Sequence, residues 1–242
     1  VIFMRPQDIA QAVEKGIVDG GLTGWDWCVE YNSEFLKDKN SISSLVKIAD
    51  LNYAKKSQQS ARIVLFRRRG DSSSGIKEGM KINSEYPKLT QTKFPQAEVI
   101  FSAGSTEVKV KTGLFDWGVG VTESGTSIID NKLVIVRTLL KSPVVLIARE
   151  ATEEMEVLGQ ILKGALLAEK YQLVKMNVTA NKKNSVLSVL PALKSPTLSE
   201  LADGSFAIET VVRKSDLCGL IIPLRQSGAT GILVQDINVV LP

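Results

Sequence analysis

Apolar positions along the chain recur with two periods, alternate-residue and three-to-four-residue, and the switches between them mark an α/β layout. VIFM at 1–4 reads as the end of a buried strand. Pro6 then stands where a first helical turn tolerates it, and Ile9, Ala12 and Val13 share one helical face as far as Gly16. IVDGGLTGWD runs from apolar residues into glycines and opens a second helix, the look of a strand end beside a ligand crevice. RIVLFRR (62–68) predicts a strand followed by the polar loop GDSSSG (70–75). KINSEYPKLTQTKF predicts a short strand, a turn and a helix with Pro87 in its first turn. EVIFSAG (98–104), FDWGVGV and LVIVRTLL (133–140) read as strands, with the turn TESGTS (122–127) between the last two. From Glu153 to Lys170, Met155, Leu158, Ile161, Leu162, Ala165 and Leu166 fall at helical spacing and predict a long amphipathic helix with a packing face.

The remainder alternates as strand (YQLVKMNV), helix (NSVLSVL), short strand near SPTLSEL, strand (FAIETVV), helix (SDLCGLIIPLRQSG) and strand (TGILVQDI). That βαββαβ order is ferredoxin-like. The expected architecture is therefore α/β: a two-lobed region resembling a periplasmic binding protein over 1–150, a connecting helix over 151–170 and a ferredoxin-like domain over 171–242. Lobe I is expected at about 1–55 and 133–150, and lobe II at about 56–132.

Composition narrows the chemistry. With 44% apolar and 23% charged residues in 242 positions, the chain is an ordinary folded globular protein. Its formal charge of +4 is mild and only 6% of residues are aromatic. RRR at 67–69 therefore reads as a solvated strand end, and no nucleic-acid partner is expected. There is no histidine, which excludes Ser/His/Asp triads, Cys/His pairs and histidine-containing zinc sites. Cys28 and Cys218 lie far apart in sequence and predict free thiols in a reducing compartment. The apolar runs are too short to cross a bilayer and the start lacks a secretory pattern, so no membrane partner and a cytoplasmic location are expected.

The strongest local chemistry is Thr122–Ser127, TESGTS. Gly125 permits close approach, backbone N–H groups line such a turn, and Ser124, Thr126 and Ser127 add hydroxyls, a set suited to a phosphate monoester. The same residues also compose an ordinary strand-to-helix turn. Glu123 would repel a phosphate and makes better sense against the neutral hydroxyls of a phosphosugar.

RPQDIAQAVEKGIVDGGLTGWD at the start, KINSEYPKLT (81–90), GSTEVKV (104–110), GVGVTESGTSI (118–128) and ALKSPTLSELADG (192–204) together resemble the long form of the ATP phosphoribosyltransferase family, in order along the chain. By that comparison the chain lacks roughly the first fifty residues, including a strand, a helix and a basic glycine-containing loop. The resemblance implies transfer of phosphoribosyl from phosphoribosyl pyrophosphate to N1 of ATP, with Mg2+ on the pyrophosphate, as the first step of histidine biosynthesis. It implies that Glu123, Ser124, Gly125, Thr126 and Ser127 grip the 5-phosphate and ribose. Asp116 or Glu123 would stabilise positive charge at the anomeric carbon as catalytic groups. Arg5 and Lys81 would meet the pyrophosphate or ATP, each residue reading equally as an ordinary surface cation. Asp26 would contact ATP or cap its helix. Two departures stand out: Gly120 where many members carry an aspartate that contacts ribose or metal, and Phe115 where a small residue is usual. Either Glu123 covers that duty or the loop is adapted differently.

The carboxyl-terminal module resembles the family's histidine-binding regulatory domain, with Asn177, Ser195 and Thr197 at matching positions and Asn177 where an acid is common. Feedback inhibition by histidine and a homohexamer assembled from dimers are implied. The alternative from another class is a non-catalytic two-lobed solute-binding protein with a sensing domain, since fold alone does not separate the two.

Overall fold

The computed structural model describes residues 1–32, 34, 41–42, 45–51, 60–71, 75–191 and 195–241. Positions 72–74 of GDSSSG, 192–194 of ALKSPTLSELADG and the 55/56 lobe border lie outside the described residues. The chain forms two compact units, Val1–Gly159 and Gln160–Pro242.

The first unit begins with α1 (Pro6–Glu14), β1 (Gly20–Gly24), α2 (Trp25–Tyr31), β2 (Ser41–Ile42), β3 (Leu45–Leu51) and β4 (Ala61–Arg68). It continues through β5 (Lys81–Ser84), α3 (Pro87–Lys93), β6 (Glu98–Phe101), α4 (Thr106–Lys111) and β7 (Trp117–Thr122). α5 (Thr126–Asp130), β8 (Leu133–Ser142) and β9 (Val144–Ala148) follow, and the boundary between the units falls within α6 (Glu153–Ala168). One antiparallel sheet has the order β1-β9-β3-β2, and a mixed sheet has the order β6-β5-β7-β4-β8.

β4 shows why its sheet forms. Ile63 and Leu65 point into a core shared with Ile9, Val13, Trp25 and Val145, whereas Val64 and Phe66 join Val110, Ile128 and Leu133 on the other face. A strand buried on both faces reads as a continuous apolar run. α1 starts at Pro6 and buries Ile9, Ala10, Ala12 and Val13. α3 also starts on its proline but has no side-chain cap of its own; Glu30 of α2 accepts hydrogen bonds from the Lys88 and Leu89 N–H groups at 2.8 and 2.9 Å.

Three expectations change. Val1–Met4 is not a strand, because no strand lies beside it among the described residues to complete a ladder. The 133–150 segment does not belong wholly to the first lobe. β8 pairs antiparallel with β4 from Ala61↔Ser142 to Arg68↔Leu133, and only after Pro143, which has no N–H to donate, does the chain enter the other sheet as β9. On α6, Leu158 and Ile161 stay 41% and 43% exposed, while Gly159, Gly164 and Ala168 are the buried positions, Gly159 facing Ile48, Ala49 and Leu146.

The second unit holds β10 (Tyr171–Val178), α7 (Lys183–Leu187), β11 (Thr197–Glu200), β12 (Phe206–Arg213), α8 (Lys214–Gln226) and β13 (Thr230–Asp236). The antiparallel order β11-β12-β10-β13 is that of a ferredoxin-like sheet, and Val174, Met176, Val178, Ile208 and Val212 pack against Leu220 and Leu224.

Cys28 is fully enclosed in the first unit, and burial, reinforced by the charge of Asp26, pushes its thiol from an ordinary 9.0 up to about 12. Above pH 9 the unfolded chain loses this proton and the folded chain keeps it, so rising pH favours unfolding. Between pH 9 and about 12 stability should fall with a Cys28 contribution of roughly 1.4 kcal/mol per pH unit. Urea unfolding across that range should show a flatter slope in Cys28→Ala, and an unchanged slope would refute the assignment.

Candidate phosphosugar site

β5 pairs in parallel with both β6 and β7, so three strands deliver their carboxyl ends to one edge of the sheet. In open α/β sheets that edge is where ligands sit. Beyond the three ends lie Glu85, the Ser102–Ser105 turn and the Glu123–Gly125 bend.

The bend is held by hydroxyls. The Gly125 N–H donates to Thr122 Oγ1 at 2.8 Å, the Thr126 N–H to Ser124 Oγ at 3.3 Å, and the Ser124 and Thr126 hydroxyls lie 2.8 Å apart. Gly125 has φ +85°, a left-handed conformation that L side chains rarely adopt, and a Cβ there would sit 3.5 Å from Ile135 Cδ1. Ser127 Oγ donates to Glu107 Oε1 at 3.1 Å, fastening the bend to α4. Glu123 Oε2 is enclosed without a hydrogen-bond partner among the described residues, and the Glu123 carbonyl accepts from Arg62 at 3.5 Å. An enclosed carboxylate oxygen without a donor is costly unless a ligand supplies one.

α4 also fastens the neighbouring strand end. Thr106 Oγ1 donates to Glu85 Oε1 at 3.0 Å and lies 2.9 Å from Ser102 Oγ, which accepts from Lys109 Nζ at 2.9 Å. Burial raises the Glu85 pKa; the Thr106 hydrogen bond opposes it, Glu107 adds to it and Lys109 opposes it. Such a site can seat a phosphate monoester in the bend and offer carboxylates to hydroxyl donors beside it.

The structure brings Glu123, Ser124, Gly125, Thr126 and Ser127 together and leaves other candidates elsewhere. Asp116 precedes β7 and Glu123 follows it, so an extended strand separates them by about 23 Å. Asp116 is instead a 63% exposed partner of Arg68 at 2.8 Å, and Arg68 also binds the Val110 and Phe115 carbonyls. Lys81 lies at the amino end of β5, away from the bend, and its 60% exposed side chain stands 4.0 Å from Glu98 on β6. Arg5 is exposed at the N-cap of α1, its carbonyl accepting from the Asp8 N–H.

Asp26 is 5% exposed and joins three remote elements. Its Oδ2 accepts from the Tyr86 hydroxyl at 2.7 Å, its Oδ1 accepts from the Ser142 hydroxyl, and Ser142 Oγ accepts from the Asp26 N–H at 2.8 Å. This is neither a helix cap nor an open ligand contact. Asp26 and Glu30 tie α2 to the end of β8 and the start of α3.

In the second unit, Asn177 is exposed on β10, opposite Ala207 and Thr230. Thr197 opens β11 opposite Glu209, with exposed Ser195 just before it. β12 lies between β10 and β11, and their partners on it, Ala207 and Glu209, are two residues apart, so Asn177 and Thr197 stand roughly 12 Å apart across the sheet.

Sequence reasoning assigned no chemistry to Glu85, Ser102, Thr106 or Lys109. The available signal was positional: each lies just beyond a parallel strand end.

A family model described as ATP phosphoribosyltransferase matches residues 5–167, and one described as HisG, C-terminal domain, matches 168–239. The chain belongs to the ATP phosphoribosyltransferase family. Relatives of that name from Chlorobaculum parvum and Desulforudis audaxviator are 36% and 34% identical, over 98% and 100% of this chain and 82% and 85% of theirs. An ATP phosphoribosyl transferase (HisG:HisZ) complex from Thermotoga maritima shares the fold at a TM-score of 0.51, with 24% identity over 64% of this chain and 72% of that one. The carboxyl-terminal domain gives this chain the long form of the family.

Replacing Asp26 with alanine leaves the buried Tyr86 and Ser142 hydroxyls without the acceptor they share, while Ser142 Oγ keeps the N–H of residue 26. It should cost about 2–3 kcal/mol in urea unfolding, and a loss under about 0.5 kcal/mol would refute the anchoring role.

Proposed function

We propose that this chain transfers the phosphoribosyl group from phosphoribosyl pyrophosphate to N1 of ATP, releasing pyrophosphate, as the first step of histidine biosynthesis. The observation that carries the reading is the Glu123–Ser127 bend at the carboxyl ends of parallel strands, in a chain that matches the family across residues 5–239. The bend takes the 5-phosphate, and Glu123, through Oε2, accepts from a ribose hydroxyl. Adenine N1 has a free lone pair and needs no deprotonation before it attacks, so a chain without histidine loses nothing in this step. Bond breaking builds positive charge on the sugar, and carboxylates fixed beside it favour that charge. Lys109, held 2.9 Å from Ser102 Oγ, takes the cationic role toward the pyrophosphate that Lys81 is badly located to play.

No three acidic, cysteine or histidine side chains cluster as metal ligands among the described residues. A magnesium ion would be held mainly through substrate phosphate oxygens, with Glu123, whose Oε2 has no hydrogen-bond partner among the described residues, as the carboxylate beside them. When bound, the ion supplies neutralisation of the leaving pyrophosphate.

The domain division of the reading is catalytic over 1–150, connecting over 151–170 and regulatory over 171–242. In the last, Asn177, Ser195 and Thr197 bind histidine as inhibitor. Assembly is a homohexamer built from dimers, for which exposed Val157, Leu158 and Ile161 on α6 offer an apolar face. The location is cytoplasmic; no helix among the described residues is long and apolar enough to cross a membrane.

Pyrophosphate should appear when the full-length protein meets ATP, phosphoribosyl pyrophosphate and Mg2+. Binding without turnover would favour a solute-binding protein instead. Gly125→Val should lower affinity for phosphoribosyl pyrophosphate at least about a hundredfold, because it puts a branched side chain at a left-handed position in the phosphate seat; unchanged affinity by calorimetry would remove the bend from the site. Thr197→Ala should raise the histidine concentration for half-inhibition at least about tenfold, and an unaltered inhibition curve would put the effector elsewhere.

A further inference from the structure

The strand that leads into the bend has no side chain at one of its last inward positions. A Cβ built on Gly120 would lie 3.6 Å from Glu85 Oε1, 3.9 Å from Glu85 Cδ and 3.6 Å from Phe66 Cε1. The Glu85 carboxylate therefore lies where a side chain at 120 would extend. It is positioned there by the backbone: the Glu85 N–H donates to the Val119 carbonyl at 3.1 Å, continuing the parallel pairing of Ser84 with Val119 by one residue. Because strand side chains alternate, Gly120 and Thr122 share a face of β7, and Thr122 is the residue whose hydroxyl holds Gly125. Glu85 thus flanks the bend on the side that holds it. α4 fixes the spacing, since its consecutive residues Thr106 and Glu107 bind Glu85 and Ser127.

The chemistry of this carboxylate is specific. The Thr106 hydroxyl, a neutral donor, bonds one of its oxygens, which leaves acceptor capacity, and Lys109 hydrogen-bonds Ser102 while lowering the Glu85 pKa through its charge. Next to a phosphate seat, a carboxylate repels a second phosphate and favours neutral donors. On a phosphopentose whose 5-phosphate fills the bend, those donors are the vicinal ring hydroxyls.

Resting on the phosphoribosyl reading above, we propose that Glu85 grips the 2,3-diol of the ribose, supplying from β5 the carboxylate that Gly120 of β7 does not carry. It is a substrate-binding residue on a different strand from Glu123, and it makes the site selective for a ribose over a deoxyribose.

The test titrates the full-length protein by calorimetry with ribose 5-phosphate and with its 2-deoxy and 3-deoxy counterparts. The unmodified protein should bind ribose 5-phosphate about tenfold or more tightly than either analogue, and Glu85→Gln and Glu85→Ala should bring at least one of those ratios to within about twofold of one, Glu123 remaining as an acceptor for the other hydroxyl. Affinity for ATP should stay within about twofold in both variants. Adding Gly120→Asp to Glu85→Ala returns a carboxylate to the emptied space and should restore at least about fivefold of the lost ribose 5-phosphate affinity. Preferences for both hydroxyls that survive the two substitutions overturn the proposal, as does a loss in ATP affinity in place of sugar affinity or no recovery in the double variant. Ribose 5-phosphate binding without pyrophosphate release would sink the enzymatic reading while the analogue ratios still decide on Glu85. No ribose 5-phosphate binding by the unmodified protein would refute both.

Discussion

The parallel pairing of β5 with β6 on one side and β7 on the other is the constraint that makes a site possible in the first unit. Parallel strands end together, so residues 85, 102–106 and 122–127 meet at one edge although the chain makes two crossovers between them. The helices of those crossovers restart near the same edge, and α4 uses its first two residues to bind the strand ends on either side. β4 completes the support by pairing antiparallel with β7 and filling both faces of the sheet, with Ile63 and Leu65 on one and Val64 and Phe66 on the other. A strand so enclosed cannot slip its register without moving its apolar set out of both cores. The position of the bend is therefore set by packing remote from any ligand.

Elements with a clear period were legible in the sequence because burial on one face or two writes itself into residue spacing. β4, α1, α3 behind Pro87 and, in the second unit, β10 and β12 belong to that class. The bend was legible because glycine and hydroxyl residues advertise a turn. What the sequence hides is distance. Asp116 stands seven positions before Glu123 and reads as its neighbour, yet an extended strand carries it to the opposite edge, where Arg68 pairs with it. Lys81 stands at that same edge, at the start of β5. The partners of Asp26, Tyr86 and Ser142, lie 60 and 116 positions away and nothing local signals either. Glu85 escaped notice because its meaning depends on an absence at Gly120, on another strand.

The two units divide the electrostatic labour. In the first, enclosed charge is handled with hydroxyls: Thr106 on Glu85, and Tyr86 and Ser142 on Asp26. Charge-bearing groups with neutral partners keep most of their charge available to what binds next, at the cost of incomplete compensation for burial. In the second, Lys175 pairs across strands with Glu209 at 2.9 Å, and Lys214 at the start of α8 pairs with Asp236 of β13 at 2.9 Å, both solvent-screened and weak.

The bend itself reconciles rigidity with exchange. Its backbone turn is permitted by Gly125 at φ +85° and held by the Thr122 hydroxyl, which accepts from the Gly125 N–H. The hydroxyls of Ser124, Thr126 and Ser127 can rotate, trading 2.8 and 3.1 Å internal bonds for bonds to phosphate oxygens without displacing a Cα atom. Binding then swaps hydrogen bonds nearly one for one and leaves little backbone entropy to lose, which is the condition for gripping the anionic end of a substrate firmly while its reacting carbon remains free to change.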